Sequence, residues 1–227
     1  MRLDAAISPR QDVIPTLMLK RLLLWMWLAT GASAFVAHAE PASQSTGSFW
    51  NEGWAFTAYS GVLNNPDKAD THSLMIFADY PRLVWREKIY ALSVDKRLGG
   101  WRDLAAYEAE ATATYHSGSA HYGEGSALVG FRWLKFPWDR WFDTALAYHI
   151  GYSYASEIAA FENDTKHPGR HSAHWLPALK MELEFRLPRS ERWSLVFLYH
   201  HRSGAWGLCA DRGTISDYAC VGLKYRP

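Results

Sequence analysis

Residues 175–187 read Trp-Leu-Pro-Ala-Leu-Lys-Met-Glu-Leu-Glu-Phe-Arg-Leu. Trp175, Pro177, Leu179, Met181, Leu183, Phe185 and Leu187 share one parity. Lys180, Glu182, Glu184 and Arg186 share the other. Period two marks a strand, because successive side chains leave opposite faces. A half-buried strand of a soluble sheet shows the same period, so recurrence decides the matter. At 142–156, Phe142, Leu146, Tyr148, Ile150, Tyr152 and Tyr154 oppose Asp143, His149 and Ser153. At 101–115, Tyr107, Ala109, Ala111, Ala113 and Tyr115 oppose Glu108, Glu110, Thr112 and Thr114. Apolar outside and charged inside inverts a soluble barrel. It suits lipid, with the interior charges free to pair with one another.

Working outward from these runs, strands are expected at 54–63, 84–96, 101–115, 126–136, 142–156, 175–187, 193–203 and 217–226. Each is near or above the ~9–11 residues that a tilted strand needs to cross a bilayer. The second fits poorly, since Arg86 and Lys88 share the parity of Val84, Tyr90 and Leu92. Short turns are expected at Arg97–Gly100, Pro137–Arg140 and Pro188–Arg192, and long polar loops at 64–83, 116–125, 157–174 and 204–216. The two lengths alternate, as in outer-membrane barrels with short periplasmic turns and long extracellular loops. Backbone polar groups in lipid must pair internally, so the sheet must close. The expected fold is all-β, an eight-stranded antiparallel transmembrane β-barrel over 54–227.

Residues 18–39 predict export. Lys20 and Arg21 precede an apolar stretch from Leu22 to Ala37, and Ala37-His38-Ala39 is a small-x-small cleavage site. Residues 1–39 are thus expected to be a signal peptide, with 1–17 an over-extended start. Residues 40–53 are expected to form a periplasmic N-terminal segment. The net charge of +1 carries no basic stripe for nucleic acid and no acidic tail. Aromatic residues make up 15% of the chain, with 12 tryptophans, as membrane girdles require. The C-terminal run Tyr218–Pro227 resembles the β-signal that barrel assembly machinery reads. Gly222 and Tyr225 stand where that signal has its glycine and aromatic, and Pro227 stands in place of the usual terminal aromatic.

Parity also isolates a group with chemistry. In the seventh strand Trp193, Leu195, Phe197 and Tyr199 face lipid, and His201 and Ser203 continue that face. Counting back from the C-terminus puts Asp217 on the lipid face of the eighth strand. Polar groups there are costly unless they lie near the interface, which fixes their height at the extracellular end. A neutral imidazole can take the serine proton during attack on an ester, and a carboxylate can hold the tautomer. His200 and Arg202 fall on the inward face. Asp211 is a rival acid in the loop.

At these residues the chain resembles the lipid A 3-O-deacylases, the PagL family. Those are eight-stranded outer-membrane barrels with a His-x-Ser near the end of the seventh strand and an acid on the eighth. His201-Arg202-Ser203 matches the first element, and Asp217 falls at the acid's distance from the C-terminus. The family commonly has Asn after the serine, where this chain has Gly204, and Glu where it has Asp217. The resemblance implies an esterase with Ser203 as nucleophile, His201 as base and Asp217 orienting the imidazole. Oxyanion donors are then sought around Gly204, with Gly207 a weaker candidate. It implies no cofactor and no metal. The implied partners are lipid A or lipopolysaccharide and outer-membrane lipids.

Three features stay open at this level. Cys209 and Cys220 can bridge in an oxidising compartment or remain two thiols. His167, His171 and His174 cluster in one loop, a weak basis for a metal site. A barrel with no catalytic role, acting by structure or loop-mediated binding, is the competing reading. A pore is disfavoured, since eight strands leave an interior that side chains fill.

Overall fold

The structure is a computed structural model, in which residues 53–64, 83–162, 171–187, 189–205, 208–211 and 214–227 are described. The expected signal peptide and all but the last residue of the expected periplasmic segment lie outside the described residues. Eight strands follow one another: β1 (Trp54–Asn64), β2 (Leu83–Trp101), β3 (Ala105–Ser117), β4 (Tyr122–Trp133), β5 (Thr144–Ala155), β6 (Trp175–Arg186), β7 (Trp193–Ser203) and β8 (Ile215–Tyr225). Each pairs antiparallel with the next, and β8 returns to β1, closing the barrel. Among the described residues closure gives every strand a neighbour on both sides. A 3₁₀ turn, Ala160–Glu162, is the helical element among the described residues.

Burial follows the parity read from sequence. Tyr107, Tyr115, Ile150, Tyr152, Trp175, Val221 and Leu223 are exposed on the outside. Glu108, Glu110, Arg132, His149, Lys180, Glu182, Glu184 and Lys224 are buried inside. The interior charges pair across the lumen, which offsets the cost of removing them from water. Arg132 on β4 is the hub. Its Nε donates to Glu108 at 2.9 Å, and its Nη1 donates to Glu182 at 2.8 Å and Glu184 at 2.7 Å. Lys224 reaches Glu182 at 2.5 Å and Asp95 at 3.3 Å. Lys180 pairs with Glu110, and Arg226 with Glu184. These contacts tie β2, β3, β4, β6 and β8 together through the middle, which argues against a pore.

Towards the end where β7 runs into β8, the filling changes from charge pairs to histidine and tyrosine. Glu124 accepts from His116 at 2.7 Å and lies 3.3 Å from His200. Tyr59 and Tyr218 hydrogen-bond His200 and His116 at 3.1 and 3.2 Å. Tyr59, Leu63, Ile89, Val196, Leu198 and Tyr218 form an apolar cluster beside them.

Three expectations need correction. The turn placed at Arg97–Gly100 belongs to β2, which runs on to Trp101. Leu98 is a bulge, since the register with β3 shifts between Arg97 and Gly99. The chain reverses instead at 102–104, where Arg102 has φ of 51°. The long loop placed at 116–125 shrinks to 118–121, because β3 and β4 are longer than expected. His116 and Tyr122 stack at 4.1 Å inside the barrel, so these polar residues are strand. Long and short connections therefore do not strictly alternate. The misfit in the second strand is a larger irregularity. The β1 partner jumps from Lys88 at Val62 to Val84 at Leu63. Val84 packs against the interior cluster, while Lys88, Tyr90 and Leu92 face out.

Candidate active site

The last turns of side chains on β7 and the first on β8 form the site. On β7, Val196, Leu198, His200 and Arg202 point inward and are buried. Phe197, Tyr199, His201 and Ser203 stand on the outer face, partly covered. On β8, Ser216, Tyr218 and Cys220 are inward and Asp217 is outward. The register opposes His201 directly to Asp217, and Ser203 to Ile215. Directly opposed residues of an antiparallel pair bring their Cβ atoms ~4.5–5.5 Å apart, within hydrogen-bonding reach for these side chains.

The structure brings Ser203, His201 and Asp217 together. His201 Nδ1 lies 2.5 Å from Asp217 Oδ1, and His201 Nε2 lies 3.0 Å from Ser203 Oγ. A carboxylate can only accept, so Nδ1 carries the proton in the neutral ring. Nε2 then has its lone pair free for the serine hydroxyl. The His201 and Asp217 side chains keep 19% and 14% of their exposure, so the chain of contacts opens onto the outer surface.

Interior contacts fix this end of β7. Arg202, between His201 and Ser203 in sequence, donates from Nη2 to the carbonyls of Ala173 and His174, both at 3.2 Å. Its Nη1 lies 3.2 Å from Glu162 of the 3₁₀ turn, and both side chains are buried. The 3₁₀ turn packs against β8 here, and Glu162 also accepts from Ser172 at 3.1 Å. An inward guanidinium thus pins the backbone that holds two outward groups.

The oxyanion expectation for Gly204 requires correction. Its N–H donates to the Thr214 carbonyl at 3.0 Å and so is committed. A Cβ there would lie 2.9 Å from the carbonyl oxygens of Ala210 and Asp211. Glycine is therefore needed for close backbone packing at this corner. Gly207 lies outside the described residues. Asp211 accepts from the His171 N–H at 2.8 Å, while the carboxylate on His201 Nδ1 is that of Asp217.

Of the loop histidines, His167 lies outside the described residues. His174 donates from Nδ1 to the Ala155 carbonyl at 2.7 Å and stacks on Tyr154. Among the described residues, Asp95, Glu108 and His149 bring ligand atoms within 4.8 Å of one another in the lumen. Lys224 and Arg132 already serve those two carboxylates, so the group reads as part of the ion-pair network. The cysteines are both free: Cys209 is exposed and Cys220 is buried beside Gly61.

Two further side chains support the site. Tyr199 approaches His201 through its hydroxyl at 3.1 Å, and Glu162 anchors Arg202. Tyr199 shares the outward parity of His201 two residues earlier, so sequence period alone can point to it. Glu162 arrives from a loop whose path no period describes.

No family model matches the chain, and no curated protein matches it in sequence. Among solved structures the chain is similar to one described as the crystal structure of the outer membrane enzyme PagL. The TM-score is 0.51 at 12% sequence identity, covering 75% of this chain and 97% of that one. At that identity the likeness is one of fold alone.

Proposed function

We propose that this chain is an outer-membrane ester hydrolase that removes a 3-linked acyl chain from lipid A in the outer leaflet. The observation that carries the reading is the imidazole of His201, engaged at once by Asp217 at 2.5 Å and Ser203 at 3.0 Å on the outer face. Three polar groups on a surface otherwise lined by Leu195, Phe197 and Tyr199 need interfacial height. That is the level at which the ester linkages of a glycolipid lie. The fold likeness to a structure described as an outer membrane enzyme supports an outer-membrane location for the barrel.

Ser203 Oγ attacks the acyl carbonyl as its proton passes to His201 Nε2, and Asp217 stabilises the imidazolium. Collapse of the tetrahedral intermediate expels the sugar oxygen, which takes that proton and leaves as the 3-hydroxyl. A water molecule then gives a proton to Nε2 and attacks the acyl-serine. Ser203 is restored and a fatty acid released. The step uses no cofactor.

Mass spectrometry of lipid A from cells with and without the protein tests the reading. Loss of one 3-linked acyl chain is expected with the wild type. Ser203→Ala and His201→Ala should each leave lipid A intact, with heat-modifiable migration retained. Unchanged lipid A with abundant, folded wild-type protein would instead favour a barrel that works through structure or its loops.

A further inference from the structure

We infer that Tyr199 is a positioning residue for the Ser203–His201–Asp217 group, acting as a second hydrogen-bond donor to Asp217. It stands two residues before His201 on the same outward face of β7. Its hydroxyl lies 3.1 Å from His201 Nδ1, the same nitrogen that Asp217 Oδ1 approaches at 2.5 Å, so phenol, imidazole and carboxylate meet at one point. Its ring stacks on the imidazole, with centroids 5.6 Å apart and planes 30° apart. A neutral imidazole has one N–H, and Asp217 at 2.5 Å from Nδ1 takes it. The phenol proton is then directed to the carboxylate, which accepts from both groups.

The arrangement answers a need specific to this surface. A carboxylate in water finds further donors from solvent. One on the flank of a lipid-facing strand has few, and an unsatisfied oxygen there is costly. Leu195 and Phe197 continue the same face below without a polar atom, so the phenol oxygen enters only at the level of Asp217. Held by two donors, the carboxylate cannot turn away from the imidazole. The stacked ring limits rotation of His201, so Nε2 stays aimed at Ser203.

The kinetic half of this inference rests on the ester-hydrolase reading, while the spectroscopic half does not. The test is Tyr199→Phe in the full-length barrel, which keeps the ring and removes the donor. Ring-nitrogen NMR of the labelled protein, with His201→Gln to assign the signal, reads the tautomer. The wild type is expected to hold His201 in the single form with hydrogen on Nδ1. The Phe variant is expected to show both tautomers. With purified lipid A as substrate, kcat should fall on the order of tenfold with KM unchanged, as expected for lost alignment. A Phe variant with an unaltered tautomer would overturn the inference, whatever the activity. A wild type that cleaves nothing but loses its single tautomer on Tyr199→Phe would keep Tyr199 in this role and remove the hydrolase reading. Normal heat-modifiable migration of the Phe variant makes the comparison one between folded barrels.

Discussion

Asp217 on β8 lies directly opposite His201 on β7, and its Oδ1 is 2.5 Å from the Nδ1 of that imidazole. The contact is set by sheet register, so it needs no mobile loop to form. Asp217→Asn preserves the shape but offers an amide, whose NH₂ can donate to Nδ1 and favour the wrong tautomer. The expected loss in kcat is roughly 10²–10⁴-fold. Lipid A deacylation by the purified variant measures it. Activity within a factor of two of the wild type would remove Asp217 from the mechanism.

The proposed direction of the barrel has its own check. The connection after β5 contains Glu157, Glu162, Asn163, Asp164 and Lys166, a polar composition suited to the cell exterior. An epitope inserted next to Asp164 should be labelled on intact cells. Labelling that appears only after the outer membrane is permeabilised would turn the barrel over and take the site out of the outer leaflet.

Arg202 shows how the interior supports the outer face. Arg202→Met keeps the bulk, leaves Glu162 without its guanidinium and frees the Ala173 and His174 carbonyls. Removing one partner of a buried pair costs about 3–5 kcal/mol. The loss should fall on the mouth of the barrel, since Arg132 and its partners lie elsewhere. Faster hydrogen exchange at Ser203 and Gly204, together with lower kcat, is the expected result. Exchange unchanged at both amides would mean that the outer groups hold their positions without Arg202.

Most of the barrel is legible in the sequence, and the places where the structure departs from period two share a cause. Strands such as β6, with Lys180, Glu182 and Glu184 against Leu179, Met181 and Leu183, declare both faces at once. The same rule located His201, Ser203 and Asp217, because parity counts survive any barrel size. The polar composition of 116–125 predicts a loop. In a barrel with a polar lumen, His116, Tyr122 and Glu124 are inward residues of continuous strands. A turn is expected at Arg97–Gly100, yet the strand continues past Gly99 and Gly100 with a bulge at Leu98. Bulges at Leu98 and at 85–87 change parity without changing composition, so no count of apolar residues reveals them. The commitment of the Gly204 N–H to Thr214 depends on the path of the following loop, which sequence period does not describe.

Arg132 tests whether the lumen network holds the barrel together. Its guanidinium serves Glu108, Glu182 and Glu184. Arg132→Met leaves three buried carboxylates with less positive charge. A loss of about 3–5 kcal/mol is expected from a broken buried network. Urea unfolding followed by heat-modifiable migration reads it as a lower midpoint. Because Arg132 sits away from His201, activity of the folded fraction should stay within about twofold. A midpoint equal to the wild type would mean that the remaining cations, Lys180, Lys224 and Arg226, are enough.

Glu162 gives the mouth of the barrel a pH dependence with a definite sign. It is buried in the 3₁₀ turn between β5 and β6. Burial pushes its carboxyl above the ordinary value of 4.5, against the pull of Arg202 and with a further push from Glu124. A carboxyl raised on folding binds a proton more readily in the docked state than in the released one. Its contribution is therefore fully present below the ordinary value and is lost as pH rises through the folded one. The turn should dock most tightly in mild acid and loosen towards neutrality. The amide of Glu162, which donates to the Ala159 carbonyl at 3.0 Å, is a local reporter. Its hydrogen-exchange protection, corrected for the intrinsic rate, should fall as pH rises from about 4.5. Glu162→Gln stays neutral throughout and should abolish that fall. Protection that rises with pH in the wild type, or a Gln variant that keeps the same slope, would assign the dependence to another group.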